Sequence, residues 1–155
     1  MGRTTSACIQ PLEQSGQVRE ARDSIVAPYP LPPSLTTTFV VMDALTLKDW
    51  SERFDNLIDS GLFHVFSDDD RRRYVEGLAT VLKTGGRLFL LCFSDDEPGD
   101  QGPRRVSRKE IEVAFSEGWA VERIEPTRFE VRPDLKDFTF SEGGPKAWFV
   151  IVRRA

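Results

Sequence analysis

Histidine occurs once in this sequence and cysteine twice. Cys8 and Cys92 lie far apart, and Cys92 sits inside the apolar run Leu88-Phe89-Leu90-Leu91-Cys92-Phe93, where a thiol serves as a small core residue. No disulfide is expected, and a reducing cytoplasm fits. A lone histidine beside the contiguous carboxylates Asp68-Asp69-Asp70 does not make a ligand cage, so no metal is expected. A basic excess is also missing: 21 Lys and Arg face 25 Asp and Glu, for a formal charge of -4. That balance gives no broad positive field for nucleic acid or anionic lipid. No apolar run approaches the roughly 20 residues of a membrane span, and Met1 to Pro30 lacks the apolar core of a signal peptide. Before Asp43 the only glycines are Gly2 and Gly16, so no close-approach glycine loop can be built there.

The 155 residues fit one domain with a self-sufficient core. Residues 1–35 differ from the rest: Pro11, Pro28, Pro30, Pro32 and Pro33 punctuate a stretch with few large apolar side chains. No packed structure is expected there beyond a short helical turn around Glu13 to Ser24. The globular pattern of residues 36–155 opens with Thr36-Thr37-Thr38-Phe39-Val40-Val41-Met42, β-branched enough to predict a strand ending at Asp43. Phe54 to Ile58 reads as a second strand.

Ser67, with Asp70 three residues on and acids in the first turn, starts a helix. Tyr74, Val75, Leu78, Val81 and Leu82 share one face of it, and Gly85-Gly86 stands where a left-handed cap is wanted near Lys83. Arg87 to Phe93, apolar almost throughout, suits a strand covered on both faces. After the Gly/Pro-rich loop of residues 94–106, Ser107-Arg108-Lys109-Glu110 is a capping box for a helix that Gly118 stops. Trp119 to Ile124 and Trp148 to Val152 are the last strands, with Trp119 and Trp148 as core aromatics. This order predicts an α/β sheet, mostly parallel, with an antiparallel C-terminal pair.

Phe54-Asp55-Asn56-Leu57-Ile58-Asp59-Ser60-Gly61-Leu62-Phe63-His64, the acidic helix start after it, and Leu82-Lys83-Thr84-Gly85-Gly86 before the Arg87–Phe93 strand resemble the fourth-strand region of class I S-adenosylmethionine-dependent methyltransferases. The loop from Cys92 to Val106 is similar to that of the small-molecule branch, including thiopurine-, thiol- and heterocycle-methyltransferase-like proteins. The resemblance covers roughly Phe39 to Arg154. It implies a Rossmann-like sheet, here N-terminally truncated, with S-adenosylmethionine as cofactor and a small molecule as acceptor through S, O or N.

Carried over residue by residue, the resemblance implies that Asp43 and Ala44 read the adenine. Asp59, Ser60 and Gly61 would lie beside the sulfonium. Phe63, His64, Phe93, Arg104 and Arg105 would contact the substrate, with Asp59 and His64 as the candidate catalytic pair. The bland alternatives stand beside these roles: His64, after an apolar pair, reads equally as a hydrogen-bonded core histidine, and Arg104-Arg105 as solvated charge. The family's Gly-x-Gly-x-Gly loop and its ribose-binding acid are absent. Loss of the normally central first strand would expose an edge of the Phe54–Ile58 strand, to be covered by Thr36–Met42 or by a second copy of the chain. A catalytically inactive remnant serving as an interaction module is the alternative, and a dinucleotide oxidoreductase is disfavoured by the missing glycine fingerprint.

Overall fold

The computed structural model describes residues 6–9 as backbone alone, and residues 40–131 and 139–155 in full. Residues 1–10 and 44–155 form one compact unit and residues 11–43 another. Of the second unit only Val40 to Asp43 is described, as exposed coil. The strand expected at Thr36–Met42 therefore has no counterpart at Val40–Met42, and its first four residues lie outside the described ones, as does the turn expected near Glu13.

In the first unit the strands are β1 (Ser6–Ile9), β2 (Phe54–Ser60), β3 (Leu82–Phe93), β4 (Trp119–Arg128) and β5 (Lys146–Arg154), and the helices are α1 (Asp68–Val81) and α2 (Arg108–Ala114). They make one α/β sheet in the order β1-β2-β3-β5-β4. The β1–β2 and β2–β3 pairs are parallel; β5 returns between β3 and β4, antiparallel to both. β1 corrects two expectations. A strand stands where no packed structure was expected, and the edge of β2 that was to be covered by Thr36–Met42 or a second copy is covered by Ser6–Ile9.

Local chemistry accounts for the helices. The Ser67 hydroxyl accepts the Asp70 amide at 3.2 Å at the start of α1, and Ser107 and Glu110 form a complete capping box on α2. Tyr74, Val75, Leu78 and Val81 bury the inner stripe of α1, and Ile111 that of α2. α1 ends earlier than its glycines predict, at Leu82, which turns extended while its amide still reaches the Leu78 carbonyl. Phe54 pairs with Leu82 and Asn56 with Arg87, so Lys83 to Gly86 bulge out of the β2–β3 ladder. Gly86 has to be glycine, because a Cβ there would lie 2.7 Å from the Asp55 carbonyl oxygen.

The core joins Leu57, Leu88, Leu90, Val150 and Val152 of the sheet to Tyr74, Leu78, Val81, Ile111 and Phe115. Trp119 and Trp148 belong to it, as predicted, and the Trp148 indole donates to the Val106 carbonyl at 2.9 Å. Register sets the functional rim. Phe93 pairs with Ala147, which pairs with Thr127, so the carboxyl ends of β2, β3 and β4 and the amino end of β5 lie along one side of the sheet. Among the described residues no helix is long and apolar enough to cross a membrane.

Candidate functional site at the carboxyl rim of the sheet

Alternation along β2 turns Asp59 inward, and its side chain is fully buried. A carboxylate taken out of water needs donors, and Asp59 has three. One oxygen accepts the Leu62 amide at 2.8 Å; the other accepts the Phe63 amide at 3.1 Å and the Tyr74 hydroxyl at 3.0 Å. Burial nonetheless pushes its pKa up to about 7, against the three hydrogen bonds that favour the charged form. The carboxylate thus caps the tight 3₁₀ turn Phe63–Val65 and ties it to α1.

Between them the chain reverses at Gly61, whose φ of 86° excludes other residues at low cost. The Gly61 amide donates to the Leu91 carbonyl at 3.0 Å, joining the turn to β3. His64 completes the link. Only 3% exposed, its Nδ1 accepts the Phe93 amide at 2.8 Å. Nε2 therefore carries the proton of the neutral ring. Burial, then the charges of Arg71 and Arg105, push its pKa down to about 4, against a backbone hydrogen bond to Gly61.

Beyond His64 the aromatic rings continue along the rim. Phe93 lies edge-on to His64 with centroids 4.9 Å apart, Phe129 is 5.2 Å from Phe93, and Phe140 is 5.8 Å from it. Arg105 stacks over Phe93 at 5.2 Å. Its guanidinium donates to the carbonyls of Glu97, Pro98, Gln101 and Pro103, so the 97–103 loop is folded around it. Glu97, 2% exposed, accepts the amides of Ser141 at 2.9 Å and Lys146 at 2.8 Å. Burial pushes its pKa up, but those two amides with Ser141 and Arg105 hold it below the usual carboxylate value.

The rim thus gathers Asp59, Ser60, Gly61, His64, Phe93 and Arg105 of the residues the sequence singled out. Three others of the same unit, Phe63, Arg104 and Ala44, stand elsewhere. Phe63 is fully buried, stacked on Phe115 at 5.7 Å and beneath the Arg71 guanidinium at 4.6 Å, so it packs in the core instead of lining a substrate wall. Arg104 ion-pairs with Asp68 at 2.7 Å and with Glu110, bracing the starts of α1 and α2. Asp43 is exposed coil, and half-buried Ala44 begins the 3₁₀ segment Ala44–Asp49, which packs on α1.

Tyr74, Glu97 and Phe129 are rim or clamp residues that sequence reasoning missed as such. Tyr74 was read as core, and the phenol that a buried tyrosine must satisfy was the available signal. Nothing local to Glu97 or Phe129 marked them. Among the described residues no group of three His, Cys, Asp or Glu side chains could hold a metal.

A parallel-to-antiparallel sheet with ligand-binding turns at the carboxyl ends of its parallel strands is the architecture of Rossmann-like methyltransferases. Residues 34–143 match the family model described as thiopurine S-methyltransferase, and the chain belongs to that family. It is 30% identical over 109 residues to the 2-heptyl-1-hydroxyquinolin-4(1H)-one methyltransferase of Mycobacteroides abscessus, a match covering 69% of this chain and 46% of that protein. The chain thus spans about half the length of this curated relative. A solved structure from work on conversion of a disulfide bond into a thioacetal group during echinomycin biosynthesis superposes with a TM-score of 0.69 at 28% identity, covering 99% of this chain and 67% of that one. An S-adenosylmethionine-dependent methyltransferase from Methanosarcina mazei reaches 0.68 at 14% identity over 96% of this chain and 82% of its own, a likeness of fold alone.

Two outcomes test this site. Tyr74→Phe strips one donor from a buried carboxylate and should cost about 1–3 kcal/mol in denaturant unfolding; an unchanged midpoint would mean the phenol does not hold Asp59. His64 is neutral when folded down to about pH 4, whereas the unfolded imidazole protonates near 6.5. Its contribution is therefore complete above pH 6.5 and is lost as pH falls towards 4. The stability difference between the wild type and His64→Gln should shrink across that window, and a difference independent of pH would remove the buried neutral imidazole. Asp59 has the opposite sign, because its raised pKa lowers stability as pH rises from about 4 to about 7.

Proposed function

We propose that this chain catalyses S-adenosylmethionine-dependent methyl transfer to a small-molecule acceptor. The observation that carries the reading is the Ser60–His64 turn, pinned by Asp59 at the carboxyl rim of the sheet between β2 and β3. Family membership and the likeness to a curated methyltransferase support it.

Bound S-adenosylmethionine would supply an electrophilic methyl group on a sulfonium sulfur. Half-buried Ser60 and the Gly61 backbone, held by Leu91, stand at the rim position that would take the methyl-bearing end of such a ligand. The resemblance gives the adenine to Asp43 and Ala44, a carboxylate for an exocyclic amine and a backbone amide for a ring nitrogen. The described residues contain no glycine loop for the amino-acid tail of the cofactor.

Methyl transfer gains chiefly from alignment in a dry site and needs no strong base. That suits residues whose polar atoms are committed to the turn: Asp59 spends its oxygens on the Leu62 and Phe63 amides and the Tyr74 hydroxyl, and His64 its Nδ1 on β3. Asp59 and His64 are then positioning residues, and Phe93 and Arg105 shape the acceptor side. The buried thiol of Cys92, whose pKa burial pushes upward, is consistent with a cytoplasmic setting.

Calorimetric titration with S-adenosylhomocysteine tests the proposal. Micromolar binding that is abolished by Asp43→Ala is the expected result. No heat at high ligand concentration would sink it and favour a non-catalytic interaction module.

A further inference from the structure

The near-continuous apolar run in β3 is the mark of a strand with both faces covered, yet the described helices cover only one. Leu57, Leu88, Leu90, Val150 and Val152 share a core with α1 and α2 on that side. Successive right-handed crossovers running one way across a sheet fall on the same side of it. The 3₁₀ segment Ala44–Asp49, late in the β1–β2 connection, accordingly packs on α1. Among the described residues no helix remains for the other face.

That second face is apolar in the middle and charged along one margin. Ile58 pairs with Phe89, Phe89 with Ile151 and Ile151 with Arg123, which sets four side chains in a row across β2, β3, β5 and β4. One pleat along, Leu91, Phe149 and Glu125 make the next row. Ile58 is 42% exposed, the other four apolar residues are half-buried, and none of the five belongs to the core cluster. Arg123 and Glu125, both exposed, form an ion pair at 3.4 Å. Beyond the rows, Arg87 and Arg153 share Glu122. An apolar centre with a polar rim of both signs is the anatomy of a protein interface; a lipid surface would instead call for one sign.

The arrangement of the charges points to a second copy as the occupant. Consider a two-fold axis in the plane of the face, at right angles to the strands and midway between the rows. It lays each strand antiparallel over its own counterpart and the first row of one copy on the second row of the other. Phe89 then meets the partner's Leu91, Ile151 the partner's Phe149 and Arg123 the partner's Glu125. An axis along the strands would instead press Arg123 onto the partner's Ile58. Strands about 4.8 Å apart, with a paired run about 20 Å long, make the face a plate about 20 Å square. Two such plates remove roughly 800 Å² of footprint, and more of accessible surface, at the low end of specific interfaces. The association is therefore micromolar and reversible.

We propose that the second face of the sheet is a self-association surface, on which two copies of this chain pack about that axis. Ile58, Phe89, Leu91, Phe149 and Ile151 form its centre, and crossed Arg123–Glu125 pairs close its β4 margin. The proposal stands apart from the methyl-transfer reading and does not depend on it.

Sedimentation velocity of the full chain over a concentration series tests it. The wild type should pass from monomer to dimer across the micromolar range and stop there. Arg123→Glu or Glu125→Arg alone gathers four like charges at the β4 margin and should weaken the dimer roughly tenfold or more. The doubly reversed variant restores the crossed pairs and should return to within about twofold of the wild type. Both positions are exposed, so the melting temperatures of the monomers should be retained. A wild type that stays monomeric at hundreds of micromolar overturns the proposal and leaves the face to a different protein. Association that continues past the dimer, single reversals without effect, or a double reversal that fails to restore the dimer would each overturn it as well.

Discussion

Burying the Asp59 carboxylate is the constraint from which the rest of the rim follows. A fully buried acid is tolerable only if the protein surrounds it with donors, and it recruits them from two places: the amides of Leu62 and Phe63 just downstream and the phenol of Tyr74 on α1. Satisfying the acid therefore dictates the path of the chain after β2. The turn is drawn tight, Gly61 takes up the positive φ, and His64 is delivered to the Phe93 amide at the end of β3.

The same device recurs further along the rim. Glu97 and Arg105 are charged side chains spent on backbone groups, one accepting two amides and the other donating to four carbonyls. Together they turn the polar loop between β3 and α2 into a fixed wall against the start of β5. A rim built this way has few groups left to reach a substrate as acid or base, and its chemistry has to come from position. Alkyl transfer from a sulfonium fits that supply, since alignment of nucleophile and carbon provides most of what the reaction needs.

Much of this was legible in the sequence because its determinants are local. The Ser67 cap, the Ser107–Glu110 capping box, the inner stripe of α1 and the apolar β3 and β5 all follow from neighbours within four residues. Where structure depends on distant partners, the reading failed. Ser6–Ile9 has no strand-like pattern of its own and is a strand because it pairs with β2. β4 was read to stop at Ile124, before Pro126, yet it continues to Arg128 because it is an edge strand on which a missing amide is tolerated. For Asp59 the position was foreseen and the role was not, since the phenol that occupies it comes from 15 residues away. Glu97 was invisible for the same reason, its partners lying 44 and 49 residues further on.

The central claim is that the turn held by Asp59 is where the methyl donor binds. Mapping backbone amide chemical shifts of the full chain during addition of S-adenosylhomocysteine tests it most directly. The account expects the largest changes at Ser60, Gly61 and Leu62, with smaller ones reaching Phe93. Saturable changes confined to other parts of the chain, with these amides unmoved, would contradict it.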